Sequence, residues 1–226
     1  SMNTQGPDDA TMMTLLAHGT EYQKEKFLKP LLNGEKRICY SMTEKAAGAD
    51  ATGMQTKAER QGNENYVLNG EKWFSSAASV ADIALVMAKT NPEAPRHQQF
   101  STFIVELPNP GYRIVRDIET MALESPLSHI MGGGHSEVKI ENLVVPAENL
   151  LGGEGNGFAM GQHRLAYGRL RHGMHNIAMA QRALDLATAH VTKRSTFGKK
   201  LSDRQGVQWM LADCAAELYQ ARLMLL

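Results

Sequence analysis

The rhythm of hydrophobic and polar positions changes twice along the chain. Over residues 8–34 apolar positions recur at helical spacing, and Phe27, Leu28, Leu31 and Leu32 fall on one side. Thr20 with Gln23 three residues later predicts a capping box, and Asn33-Gly34 closes the segment. From residue 38 to residue 145 the pattern shortens to strand-like runs, with predicted strands at 54–60, 83–87, 101–107, 112–115 and 136–140. The last sets Ser136, Val138 and Ile140 against Glu137, Lys139 and Glu141, as a half-buried strand does. Asn69-Gly70 predicts a hairpin turn, and Pro92, Pro95, Pro108 and Pro110 sit in the connections. Short strands separated by Gly, Pro and Asn predict a small barrel or sandwich.

Residues 146–157, with Gly152-Gly153-Glu154-Gly155-Asn156-Gly157, predict a linker. Two long helical patterns follow. The first puts Leu170, Met174, Ile177, Leu184 and Val191 on one stripe; the second puts Val207, Met210, Leu211, Cys214, Leu218, Ala221 and Leu225 together, with Ser202 and Gln205 as its capping box. The fold class is therefore α+β: a helical segment over 1–37, a central β-barrel domain over 38–150, and the start of a helical bundle over 151–226.

Composition narrows the function classes. Lys plus Arg and Asp plus Glu are 24 each, so the formal charge is zero, and a dedicated nucleic-acid binder with its basic excess is excluded. A hydrophobic share of 42% is enough for a packed core, and no apolar run approaches the length of a membrane span, which predicts a soluble chain without a transmembrane segment. Cys39 and Cys214 alone make neither a disulfide framework nor a zinc site, and favour a reducing compartment. Ser1-Met2 reads as a cloning remnant, so a native targeting segment is not expected to be visible.

The chemistry is concentrated between Tyr40 and Ser76. Tyr40-Ser41-Met42-Thr43-Glu44 leads into a small-residue loop through Gly48, Ala49 and Asp50, and Asn69-Gly70-Glu71-Lys72 leads into Trp73-Phe74-Ser75-Ser76. Small residues let a ligand approach the backbone, and an aromatic followed by hydroxyls offers a flat face with donors beside it. From the residues alone the same stretch also reads as an ordinary hairpin.

The glycine cluster at 152–157 fails as a dinucleotide fingerprint, because the third glycine position is Met160 and strands do not alternate with helices. His172 and His175, three apart, lack an acidic partner at ligand spacing, and Gly134-His135 sits in a loop, so the histidines read as solvated or core residues and no metal is expected. Arg164, Arg169 and Arg171 give the first long helix a positive beginning against its own dipole, which fits either a nearby anion or plain surface charge. Arg194, before Ser195-Thr196-Phe197-Gly198, could serve a pyrophosphate or cap a helix.

The order and spacing of Thr43-Glu44, Asp50, Asn69-Gly70-x-Lys72 with aromatic-Ser-Ser, and Arg194-x-Thr196-Phe197-Gly198 with Gln205 resemble the acyl-CoA dehydrogenases. The serine pair and Arg96-His97 look most like the branch attached to kinase-like domains. The resemblance covers nearly the whole chain, while the chain covers the middle and early C-terminal parts of the family. It implies FAD as cofactor, held by Tyr40, Ser41, Met42, Thr43, Glu44, Gly48, Ala49, Phe74, Ser75 and Ser76, with Phe74 on the flavin face and Ser76 near N5. It places Arg194, Thr196, Phe197 and Gln205 at the FAD of a neighbouring subunit, and Ala49, Tyr167, Gly168 and Arg169 on the substrate side.

The implied reaction is α,β-dehydrogenation of an acyl-CoA thioester with hydride passing to the flavin. Electrons then go to an electron-transfer flavoprotein, or to oxygen in an oxidase. The implied assembly is a homodimer or homotetramer, mitochondrial or peroxisomal in a eukaryote and cytoplasmic in a bacterium. Three departures stand out. Lys45-Ala46 replaces the family's Pro-Gly, Ala49 replaces a pyrophosphate-contacting serine, and Gly168 occupies one position where the family carries its catalytic glutamate. No carboxylate base is found, so a silent fragment acting through subunit association is the alternative reading.

Overall fold

In the computed structural model the chain is described over residues 8–121 and 133–226. Its contacts divide it after Leu165 into two compact units.

The first unit opens with α1 (Asp8–His18). The helix stops at Gly19, whose N–H bonds the Leu15 carbonyl at 2.8 Å; a Cβ there would lie 2.5 Å from that oxygen. The helical pattern over 8–34 is therefore broken once. Thr20 restarts it with both halves of the expected capping box in place. The second helix runs through α2 (Glu21–Gln23), a π-helical stretch (Lys24–Leu28) and α3 (Lys29–Leu32). Phe27, Leu28 and Leu31 are buried, but Leu32 is exposed. A π turn carries an extra residue and rotates the apolar stripe, which breaks the simple helical phase of the sequence.

Eight strands make one mixed sheet: β1 (Ile38–Ser41), β2 (Lys57–Gln61), β3 (Asn65–Ser76), β4 (Ile83–Lys89), β5 (Phe100–Glu106), β6 (Tyr112–Ile118), β7 (His135–Pro146) and β8 (Leu150–Leu151). Their order is β6-β7-β3-β2-β4-β5-β8, with β1 parallel to β4. Among the described residues the pairings make one mixed sheet without closing into a barrel, and the α+β class stands.

Asn69-Gly70 is not a turn. The hairpin between β2 and β3 turns at residues 62–64, where Gly62 takes φ 65°. Gly70 lies inside β3 at a register slip against β7, and a Cβ there would sit 2.5 Å from the Thr56 hydroxyl. Glycine is used there for close approach, a role that an Asn-Gly pair does not announce. Ser136, Val138 and Ile140 are buried as their alternation predicts. The predicted linker is partly structured, since Ala147–Asn149 form a 3-10 turn and β8 follows.

The core lies on both faces of the sheet. Tyr66, Leu68, Phe103, Val138, Ile140 and Leu143 fill one cluster; Leu15, Phe27, Leu31, Ile38, Leu85 and Ile104 join the helices to the other face. A third group, Ala47, Met54, Met87 and Phe100, supports the loop after β1.

A long helix, α4 (Gly157–Val191), crosses the division at Leu165. Beyond it, β9 (Ser195–Thr196) and β10 (Lys199–Lys200) make a small hairpin, and α5 (Gln205–Leu225) follows. The expected capping box at Ser202 and Gln205 is absent. Arg204 is the N-cap, and the Ser202 carbonyl accepts from Gln208 Nε2 at 2.8 Å. Ile177, Leu184, Leu211 and Leu218 line an apolar groove of about 560 Å³ between α4 and α5. Leu170, Met174 and Met210, counted on the stripes, are exposed.

Candidate functional site

Three short stretches meet where β1 ends beside the end of β3. Ser41 Oγ bonds Ser75 Oγ at 2.9 Å and Tyr112 OH at 2.8 Å, which ties β1, β3 and β6 together inside the core. One step on, the Trp73 N–H donates to the Thr43 carbonyl at 2.7 Å, so the strand ends remain side by side as they reach the surface.

Beneath this lies a buried ion pair. Lys72 Nζ is 2.9 Å from Glu44 Oε1 and 2.9 Å from the Met42 carbonyl, and the carboxylate also accepts from the backbone N–H groups of Gln55 and Thr56. Burial alone would raise the Glu44 carboxyl; the Lys72 ammonium and the donated hydrogen bonds outweigh it and hold the group below its ordinary value. With three donors on one carboxylate, Glu44 fixes the loop after β1 and the edge of β2. At 4% exposure its side chain faces these partners inside the fold rather than the surface.

At the end of β3 the register against β7 slips by one residue between Lys72 and Ser75. This bulge puts Phe74 at φ 56°, a left-handed conformation that costs a bulky residue about 1–2 kcal/mol. The ring is 46% exposed. Trp73 beside it is flanked by Lys45 Nζ and the Arg116 guanidinium, each 5.4 Å from a ring centroid. Beyond the bulge Ser76 Oγ lies 2.8 Å from His135 Nδ1, and the His135 ring stands edge-on to Phe74 at 6.1 Å.

Tyr40, near the end of β1, packs against the helix-side core cluster and against that of Met54, Met87 and Phe100. The Arg164 guanidinium lies 4.2 Å from its ring centroid, and burial pushes its phenol up to about 12, so it stays a neutral donor. Arg164 also donates to the Thr11 hydroxyl at 3.1 Å and sits two turns into α4, so it does not open the helix as the charge pattern implied.

Of the residues singled out in the sequence, Thr43, Phe74 and Ser76 lie at the ends of strands joined by the bond from Trp73 to Thr43, while the Met42 side chain packs against Ala47, Met54, Met87 and Phe100. Gly48 and Ala49 are exposed on the following loop, which Asp50 orders by accepting from Thr52 and Arg96. The side chains of Ser41, Ser75 and Glu44 point inward and are fully engaged. His135, Trp73 and the structural role of Lys72 were not found from sequence. The cross-strand pairing of Ser76 with His135 would have shown the first, but it requires the register.

The second unit is described by itself. Tyr167, Gly168 and Arg169 lie on α4, with open space around Gly168. Thr196-Phe197-Gly198-Lys199 makes a two-residue hairpin with Phe197 at φ 51° and Gly198 at φ 75°; the Phe197 ring is 98% exposed. Arg204 donates to the Thr196 carbonyl at 2.7 Å and its guanidinium lies 5.9 Å from the Phe197 ring. Arg194 uses its backbone to close the end of α4 and to bond Leu201, while its side chain is exposed. Gln205 is the exposed first residue of α5.

The donor set suits a planar heterocycle with polar edges: an open small-residue loop, half-exposed hydroxyls at Thr43 and Ser76, and an aromatic face held outward. No group of three metal-ligating side chains occurs among the described residues.

Residues 39–132 match the acyl-CoA dehydrogenase middle domain and residues 155–226 the acyl-CoA dehydrogenase C-terminal domain. Acyl-CoA dehydrogenase family member 11 of Gallus gallus is 41% identical over 99% of this chain, and the chain spans 29% of its length. The protein called "Probable acyl-CoA dehydrogenase FadE2" of Mycobacterium tuberculosis is 41% identical over 99% of the chain, which spans 54% of it. The structure of butyryl-CoA dehydrogenase from Megasphaera elsdenii superposes with a TM-score of 0.85 at 34% identity, covering 95% of this chain and 54% of that one. With two of its domains matched in order and the same fold in a solved relative, the chain belongs to the acyl-CoA dehydrogenase family.

Proposed function

We propose that the surface made by Met42, Thr43, Phe74 and Ser76 holds the isoalloxazine ring of FAD, and that the protein this chain comes from dehydrogenates acyl-CoA thioesters. The observation that carries the reading is the bulge in β3. It keeps a strained phenylalanine half-exposed between two hydroxyl-bearing strand ends, in a chain whose family is the acyl-CoA dehydrogenases. Strain of this kind persists where the surrounding structure fixes it for a purpose.

FAD, when bound, supplies the two-electron acceptor for oxidation of the thioester's α,β bond. The chain's own part is to bind and orient. Phe74 gives the ring a face, Thr43 and Ser76 give its polar edge hydrogen bonds, and Gly48 and Ala49 leave the backbone open to the rest of the cofactor. Ala49 lacks the hydroxyl that a serine would add, which removes one neutral hydrogen bond of about 1 kcal/mol. Tyr167, Gly168 and Arg169 stand on the substrate side, and Arg194, Thr196, Phe197 and Gln205 serve the FAD of a second copy in a homodimer or homotetramer. The electron acceptor is an electron-transfer flavoprotein. The proton-abstracting carboxylate is none of these residues, since Gly168 has no side chain and Glu44 is committed to Lys72.

The test is reconstitution of the purified chain with FAD, followed by anaerobic addition of acyl-CoA thioesters of graded length. A retained flavin absorption band is the expected result. Weak retention without bleaching fits a chain that binds FAD but lacks the base. Failure to take up any FAD overturns the reading.

A further inference from the structure

His135 opens β7 directly opposite Ser76, and its Nδ1 lies 2.8 Å from the serine oxygen. The histidine is also the cross-strand partner of Ile118 on β6, and its ring is edge-on to Phe74 at 6.1 Å. The next residue, Ser136, turns the other way and donates to Asp117 at 2.8 Å. The imidazole therefore shares the outward side of the sheet end with Phe74 and Ser76.

A serine hydroxyl has one proton and a free rotor. The other partner of the Ser76 hydroxyl, the Phe74 carbonyl at 3.5 Å, is too distant to hold it, so without a second group the hydroxyl would divide its time among several orientations. A ring nitrogen at hydrogen-bond distance removes that freedom, and it does so in two ways. With the proton on Nε2, Nδ1 accepts from the hydroxyl and the serine oxygen keeps lone pairs facing outward. With the proton on Nδ1, the imidazole donates and the serine proton is left to point outward. A hydroxyl backed by imidazole can thus donate or accept on its outer side without moving the backbone.

We infer that His135 is a positioning residue for Ser76, and that the pair presents an adaptable hydrogen bond to the polar ring edge of a flavin. The inference rests on the FAD reading above. It adds a reason for a histidine at this place: the reactive ring nitrogen of a flavin accepts a hydrogen bond when oxidised and carries a hydrogen when reduced. A partner of fixed polarity would suit one state only.

The experiment compares the unsubstituted chain with His135→Ala, His135→Asn, Ser76→Ala and the His135→Ala/Ser76→Ala double variant. FAD affinity is read by quenching of flavin fluorescence, and the His135 ring nitrogens by their ¹⁵N shifts. Loss of one neutral hydrogen bond gives about a fivefold weaker FAD affinity in His135→Ala. His135→Asn recovers most of it, because an amide can also donate or accept. In the Ser76→Ala background His135→Ala adds nothing, and Ser76→Ala moves the Nδ1 shift.

A His135→Ala penalty of the same size in both backgrounds would show that His135 only packs the strand end. An Nδ1 shift indifferent to Ser76→Ala would equally overturn the pairing, while FAD retained by the unsubstituted chain would leave the flavin reading standing. No FAD uptake by that chain overturns both together.

Discussion

The two units of the chain solve the same burial problem in different ways. Up to Leu165, strands and short helices cover one another, and Phe27, Phe100, Phe103, Leu68 and Leu85 reach 2% exposure or less. From Ala166 onward no residue is buried: Trp209, Met210, Tyr219 and Met224 on α5 are each more than 60% exposed. A sheet with helices on it can close its own core, because each strand has neighbours on two sides and a face on each layer. A pair of helices can cover only the narrow strip where they touch. The second unit therefore leaves apolar surface exposed, while the first carries the candidate site on a core closed by its own strands and helices.

The largest loss is expected in the unit that closes its own core. Lys72→Met leaves the Glu44 carboxylate buried without its cation, and removal of one partner of such a pair costs about 3–5 kcal/mol. Denaturant unfolding should show that loss in the first unit, with the 222 nm signal of the helix pair changing little. Replacing both residues with apolar ones should recover only part, because the Gln55 and Thr56 N–H groups then lose their acceptor.

The same carboxylate predicts the acid behaviour. Its folded value lies below the unfolded one near 4.3, so its contribution is present above that value and is lost as pH falls through the lower folded value. The stability gap between the unsubstituted chain and Glu44→Gln should be widest near neutrality and should narrow below about pH 4. A gap constant with pH would show that the pair is not ionised in the fold.

Next in size is the effect expected in the second unit. The apolar groove along Ile177, Leu184, Leu211 and Leu218 should drive self-association of the chain, visible as concentration-dependent mass by light scattering. Leu211→Glu with Leu218→Glu should abolish it. A clean monomer at high concentration in the unsubstituted chain would show that this groove does not drive association.

Arg194 gives a smaller effect of a different kind. In a full-length form carrying this segment, Arg194→Ala should weaken FAD retention by roughly 1.5–3 kcal/mol, the worth of a charge-assisted contact, and Arg194→Lys should recover part. Unchanged retention would leave Arg194 with only the helix-closing backbone bonds it makes here.

Legibility in the sequence follows the range of the interaction. The capping box at Thr20, the alternation of β7 and the two long helices were readable because each depends on residues two to four apart. The Asn69-Gly70 pair misled because its glycine serves a contact with Thr56 fourteen residues away, and only the fold brings that residue under it. The site divides along the same line. Family spacing pointed to Met42, Thr43, Phe74 and Ser76, but the inward turn of Ser41, Ser75 and Glu44 follows from partners on β1, β3, β6 and the residues just before β2. His135 was passed over as a loop histidine, since its meaning lies entirely in its pairing with Ser76.

Each unit holds one exposed phenylalanine in a left-handed conformation. Phe74 sits at φ 56° in the β3 bulge and Phe197 at φ 51° in the β9–β10 hairpin. Glycine adopts this region without a Cβ penalty, so Phe→Gly at either place relieves about 1–2 kcal/mol of backbone strain. What differs is the packing each ring would forfeit. Phe74 has neighbours in Trp73 and His135, at 5.8 and 6.1 Å between centroids, and is half-buried. Phe197 has the Arg204 guanidinium 5.9 Å from its ring and is almost fully exposed. Phe197→Gly should therefore raise the melting temperature of its unit slightly, while Phe74→Gly should leave that of the first unit near zero change. Both should weaken FAD retention if the strain is kept for ligand contact. A stabilised Phe197→Gly variant with undiminished FAD affinity in an assembled protein would mean that the hairpin ring serves something other than the cofactor.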